Sequence, residues 1–237
     1  MIKTRYTIGG MTALLLFMAA CSKMDDYKDT FLTGGEIQYT GKADSVKFHS
    51  GYNRAQLSWL ILSDPKVTRA KVYWNYRKDS AEINIQRTSG VDTIRLMINN
   101  LAEGTYNFEI FTYDKTGHSS IPATVTGKVY GERYEATLLN RGIDMGSSSV
   151  FPIMPPYHGA VLVWRSYNST DGIISMQLKY KDEDNIEQTV VTPAEAASTM
   201  LMKYVPASTI EYRTLYKPDS LAIDTFYARP MTLQLNP

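Results

Sequence analysis

The chain has 237 residues, 43% apolar and 21% charged, with 25 Lys and Arg against 24 Asp and Glu and a formal net charge of +1. That composition supports one large globular domain or two of about 100 residues each, and it excludes a disordered chain, a collagen and a polytopic membrane protein. The even charge balance leaves no basic footprint for nucleic acid, and a single cysteine excludes a disulfide framework and a multi-cysteine zinc site.

Residues 1–20 read as a signal peptide: Lys3 and Arg5 form a positive start, Ile8 to Ala20 is apolar, and small residues precede Cys21. An apolar helix of that length covers ~20 Å against ~30 Å of hydrocarbon, so a retained membrane span is disfavoured. The segment Met18-Ala19-Ala20-Cys21 resembles the lipobox of bacterial lipoproteins. The resemblance implies lipidation at Cys21 and the membrane as a partner through the N-terminal lipid, an anchor of more than one acyl chain. Cleavage removes Lys3 and Arg5 and brings the formal charge to −1, so nothing electrostatic draws the mature chain onto an anionic leaflet. Residues 21–35 make a polar tether. Its stretch Ser22 to Asp29 is similar to the acidic signal by which Bacteroidota send lipoproteins to the outer membrane, which implies a lipid-anchored protein on the extracellular face.

From residue 36 the apolar positions alternate with period two between closely spaced Gly, Pro, Asp and Asn, an all-β signature. Ala55, Leu57 and Trp59 share a face; so do Val72, Trp74 and Tyr76, then Ile83 and Ile85, then Ile94, Leu96 and Ile98. Leu101 to Ile110 places Gly104 before an alternating Tyr106, Phe108 and Ile110. This stretch resembles the tyrosine corner and following strand of a fibronectin type III sandwich. With Trp59 on the matching core strand and Ala123 to Val129 as the last strand, residues 36–130 are read as one such sandwich.

Residues 131–237 repeat the plan less regularly. Leu162 and Trp164 are placed like Leu57 and Trp59, and strands follow at Ile174 to Tyr180 and Glu187 to Val191 around the turn Asp182 to Asn185. The two tryptophans are 105 positions apart, the length of one sandwich. Ile210, Tyr212 and Thr214 suit a strand with no tyrosine corner before it, and the alanines of Pro193 to Thr199 predict a short helix. Tyr212 to Pro218 and Ile223 to Tyr227 resemble the C-terminal signature of an uncharacterised Bacteroidota lipoprotein family. In that family two immunoglobulin-like domains follow a lipobox, often near glycan-utilisation genes. The expected architecture is thus two tandem immunoglobulin or fibronectin type III-like β-sandwiches behind a lipoprotein signal peptide.

No catalytic, cofactor or metal constellation emerges, so a non-enzyme without cofactor is expected. His49, His118 and His158 stand far apart in polar surroundings, and Gly142 to Ser149 contains glycine and serine but no phosphate-loop lysine. Seventeen tyrosines are the unusual count. Tyr76, Tyr106 and Tyr212 fall at inward positions; Tyr73, Tyr113, Tyr180, Tyr216 and Tyr227 are less constrained. Because sandwich loops carry recognition, the binding surface is expected on the second sandwich, with Tyr216, Phe226 and Tyr227 as candidate stacking residues; packing of the final strand is their alternative. Asp44-Ser45-Val46, Asp92-Thr93-Ile94 and Asp219-Ser220-Leu221 match the triplet O-glycosylated in exported Bacteroidota proteins, which implies Ser45, Thr93 and Ser220 as acceptors, with unmodified strand or turn as the alternative. Two functions stay open: glycan capture at the cell surface, or a structural or adhesive scaffold holding a protein partner.

Overall fold

The computed structural model describes residues 39–62 and 64–236. The signal peptide, Cys21 and the polar tether lie outside the described residues. From Thr40 onward the chain is one compact unit.

Its first half is a sandwich of antiparallel sheets. Strands β1 (Asp44–Ser50), β2 (Arg54–Ile61) and β5 (Asp92–Asn99) make a three-stranded sheet in the order β1-β2-β5. Facing it, β3 (Val67–Trp74), β4 (Asp79–Asn84), β6 (Gly104–Asp114) and β7 (Ala123–Val129) make a four-stranded sheet in the order β4-β3-β6-β7. Period-two alternation sends Leu57, Trp59 and Ile61 inward against Val72, Phe108 and Ile110, all buried. Tyr106 Oη donates to the Ala102 carbonyl at 3.0 Å, which makes the expected tyrosine corner. At the seam between the sheets the Phe48 ring occupies the space where a side chain on Gly127 would begin, so β1 and β7 close edge to edge only because residue 127 has no Cβ.

The second half repeats this order strand for strand. β8 (Ser149–Met154), β9 (Tyr157–Val163) and β12 (Ser198–Met202) form the three-stranded sheet, β12-β9-β8. β10 (Ile173–Lys181), β11 (Glu187–Pro193) and β13 (Thr209–Tyr216) form the other, completed by the short β14 (Phe226–Tyr227) and β15 (Met231–Gln234), which both pair with β13. Those two pieces are one final strand interrupted at residues 228–230. The pairing slips by one residue between Leu215↔Tyr227 and Tyr212↔Met231, a bulge that accommodates Pro230, which has no N–H for the ladder. Trp164 is buried and its Nε1 donates to Thr199 Oγ1 at 2.8 Å.

Two expectations are corrected. Pro193 to Thr199 forms no helix: β11 runs into Pro193, Ala196 N–H closes a turn onto the Pro193 carbonyl at 3.1 Å, and Ser198 opens β12. The pull of Ala194 and Thr199 into the core outweighs the weak helix preference of three alanines. Tyr76 is not a core residue, because β3 ends at Trp74 and Tyr76 sits in the following turn, 99% exposed.

The halves meet through Gly131, helix α1 (Glu132–Thr137) and the loop before β14. Phe226, fully buried, lies 5.2 Å from the Tyr134 ring, 5.6 Å from Tyr130 and 6.1 Å from Tyr52. Around this cluster the loop bonds to the first sandwich: Ser50 Oγ donates to Asp219 at 2.6 Å and Ile223 N–H to the Ser50 carbonyl at 2.8 Å.

Candidate functional site

The turn between β3 and β4 holds Asn75, Tyr76 and Arg77 at φ of 50°, 57° and 62° in succession. A left-handed conformation costs a non-glycine residue ~1 to 2 kcal/mol, and asparagine tolerates it best. Three in a row persist only where side chains hold them. Asn75 Nδ2 donates to Asp79 at 2.6 Å, and Arg77 Nε donates to Glu109 at 2.5 Å. The result lifts the Tyr76 ring clear of the protein.

Beneath that ring is a groove of about 320 Å³. Its aromatic wall is Tyr73, Trp74, Tyr76 and Tyr106; its polar groups include Asn107, Glu109 and Thr126. The groove continues onto the solvent face of the four-stranded sheet, where rings and cations interleave. Tyr73 meets Phe111 edge-on at 5.9 Å, Lys71 lies 5.1 Å over Tyr73, Arg77 5.2 Å over Phe111, and Arg69 4.6 Å over Tyr113. Burial, with the neighbouring Tyr73, pushes the Tyr113 phenol above its usual range, so it remains a neutral hydrogen-bonding group. Apolar ring faces beside planar donors and acceptors suit a ligand with an apolar face and a rim of hydroxyls.

Tyr216, Phe226 and Tyr227 are brought together, since Tyr216 pairs with Phe226 and Leu215 with Tyr227. Tyr216 and Phe226 lie in the joint rather than on a free surface, the packing alternative, while Tyr227 keeps part of its ring exposed. Phe226 and Tyr216 are buried, and Tyr216 Oη donates to the Leu139 carbonyl. Tyr227 is 37% exposed, but the Arg213 guanidinium lies 4.2 Å from its ring centre and covers one face. Tyr180 is buried as well. The sequence hides the groove because Tyr76 continues the parity of Val72 and Trp74; Asn75 and the polar residues Arg77 to Ser80 are the turn signal that could have located it.

Ser45, Thr93 and Ser220 are all exposed, Ser45 at φ 49° in the irregular start of β1. The histidines stay apart. His49 bonds Ser58 at 2.8 Å, His118 bonds Asp114 at 2.8 Å, and His158 bonds Glu183 at 3.0 Å. Among the described residues no group of three His, Cys, Asp or Glu side chains is placed to hold a metal ion.

Two antiparallel sandwiches of three strands on four, with a tyrosine corner in the first, define an all-β protein of the fibronectin type III-like class. The chain belongs to the DUF4998 family, a domain of unknown function, whose pattern matches residues 21–226. Solved structures with which it aligns include the FN1-FN3 domains of chicken CNTN1, at 11% identity over 86% of this chain and 67% of that one, TM-score 0.41. A two-domain fibronectin type III segment of chicken tenascin aligns at 16% identity over 82% of this chain and 99% of that one, TM-score 0.30. No curated protein matches it.

Proposed function

We propose that this chain is a non-catalytic, lipid-anchored binding protein of the bacterial cell surface that captures a glycan in the groove beneath Tyr76. The observation that carries the reading is the strained turn: Asn75, Tyr76 and Arg77 hold an unfavourable backbone that keeps an aromatic ring fully exposed beside Glu109 and Asn107. Tyr76 and Tyr73 would stack on the apolar face of a sugar ring, while Asn107, Glu109 and Thr126 would meet its hydroxyls. Screening residues 22–237 on a glycan array, then titrating the best saccharide against Tyr76→Ala, tests this. At least a tenfold loss of affinity is expected; equal binding by the variant would move the site elsewhere. Anchoring at Cys21 is tested separately, since Cys21→Ser should release the chain from the membrane fraction.

A scaffold role is the second reading, and the bonded joint supports it. An aromatic cluster and several hydrogen bonds between the sandwiches would hold a partner at a set orientation.

A further inference from the structure

A second groove opens where the two sheets of the first sandwich close. It has a volume of about 450 Å³, and Phe48 and Gly127, the pair packed at that seam, line it. Its far wall is Asp219, Ser220 and Leu221, in the loop of the second sandwich that bonds to Ser50. The groove is continuous with the one beneath Tyr76, because Thr126 lines both. Thr126 stands opposite Asn107 in the register of β6 and β7, and its Oγ1 donates to Asn107 Oδ1 at 3.1 Å.

The strand order sets the direction of the trough. Tyr76 follows the end of β3, and β6 and β7 lie beside β3 in that order, each a step of ~4.8 Å, with β1 beyond them at the seam. A chain laid across the strands would leave Tyr76 and Tyr73, cross Asn107 and Thr126, and end between β1, β7 and the joint loop. Either groove alone has the size of a small-ligand site. Joined, they suit a linear chain of several rings.

The two ends differ in charge. Beneath Tyr76 the cation is committed, since Arg77 donates to Glu109 at 2.5 Å. At the seam Lys47 and Lys128 are both exposed and line the groove. Among the described residues neither has a carboxylate oxygen within 4.0 Å; Lys128 lies 5.1 Å over the ring of Tyr130. The carboxylate in this groove, Asp219, has both oxygens held elsewhere: one accepts from Ser50 Oγ at 2.6 Å and the other from the Leu221 N–H at 2.8 Å. Two uncommitted ammonium groups therefore outnumber one occupied carboxylate.

We infer, resting on the proposal that the groove beneath Tyr76 captures a glycan, that the glycan is a linear acidic oligosaccharide whose rings stack at Tyr76 and whose carboxylate or sulfate groups meet Lys47 and Lys128. An ammonium group is a compact charge with three donors and suits either anion. Single-stranded nucleic acid also combines stacking rings with anions, but its phosphates call for a basic groove that tracks the whole backbone, and two lysines at one end are not that.

Calorimetric titration of residues 22–237, which hold the whole compact unit, tests it. The probes are hexasaccharides of hyaluronan and polygalacturonate, which carry carboxylate alone, of chondroitin sulfate, which adds sulfate, and of cellulose and xylan, which are neutral. The tightest ligand should be acidic, and its disaccharide should bind at least tenfold more weakly, because it cannot reach from Tyr76 to the lysines. Lys47→Met with Lys128→Met should weaken the hexasaccharide at least about fivefold at low salt without moving the melting temperature. That difference should fade at ~1 M salt, where screening acts within ~3 Å, and Lys47→Arg with Lys128→Arg should keep the affinity. A neutral hexasaccharide that binds tightest and depends on Tyr76, or an acidic one indifferent to the lysine pair, would overturn the acidic assignment and leave the glycan reading standing. Binding of single-stranded oligothymidylate in place of every saccharide, or of no probe at all, would overturn both.

Discussion

Arg54 and Asp224, 170 positions apart, form a two-pronged ion pair across the joint: Nε reaches Oδ2 at 2.9 Å and a terminal nitrogen reaches Oδ1 at 2.5 Å. Tyr52 N–H adds a third donor to the same carboxylate at 2.9 Å. The pair joins β2 of the first sandwich to the loop ahead of β14 and seals one side of the Phe226 cluster.

That geometry has an acid signature. Its hydrogen bond from Arg54, opposed by partial burial, holds the Asp224 carboxyl below its ordinary value of 3.8. A depressed folded-state value means the contribution to stability is complete above that ordinary value and is lost as pH falls through the lower, folded one. Calorimetry between pH 7 and pH 2.5 should show the joint loosening below about pH 3.8, and Asp224→Asn should remove that part of the pH dependence. At pH 7 the substitution should cost about 1 kcal/mol, below the usual range for charged hydrogen bonds and at the top of that for surface ion pairs because Arg54 is 42% exposed. An unchanged acid profile in the variant would assign the loosening to another carboxylate.

Gly127→Ala should destabilise the first sandwich by ~1 to 3 kcal/mol, because its methyl group would stand inside the Phe48 ring. Urea denaturation reads the loss. In a Phe48→Ala background the same change should cost far less, and the non-additivity identifies the ring as the cause.

Phe226→Ala should cost ~3 to 5 kcal/mol, the range for a buried aromatic, and should split a single thermal transition into two as the sandwiches uncouple. Tyr227→Ala should stay under about 1 kcal/mol, since one face of that ring is already solvated. A single sharp transition in Phe226→Ala would show that the joint does not couple the two halves.

Much of this architecture was legible because it is local. Period-two alternation places Trp59 and Trp164 in two cores, and Gly104-Thr105-Tyr106 announces a corner that closes on Ala102. The joint was not legible, because nothing in Tyr216 or Phe226 distinguishes an aromatic packed in its own sandwich from one packed against Tyr130 and Tyr134 of the preceding segment. Tyr134 packs against that cluster while only partly buried, and burial, the largest cause, pushes its phenol up to about 12. Tyr76 was misplaced for the opposite reason. Parity extends a strand pattern indefinitely, whereas the hydrogen bonds end at Trp74↔Asp79.

Tyr76 gives the sharpest separation of stability from function. Its ring is 99% exposed, so Tyr76→Ala removes almost no burial, while its φ of 57° favours glycine over any residue with a Cβ. Tyr76→Gly should therefore leave the melting temperature unchanged or raise it by the equivalent of up to ~1 kcal/mol. The same substitution should weaken saccharide binding in the groove at least tenfold, because the exposed ring of its aromatic wall is gone. Neighbouring Arg77→Lys, which loses the fixed guanidinium on Glu109, should weaken binding without removing it. A residue kept for packing would show the reverse pattern, losing stability when truncated and leaving affinity alone. Calorimetric melting and saccharide titration of the same three proteins decide between the two, and a Tyr76→Gly protein that melts several degrees lower yet binds normally would show that the strained turn serves the fold.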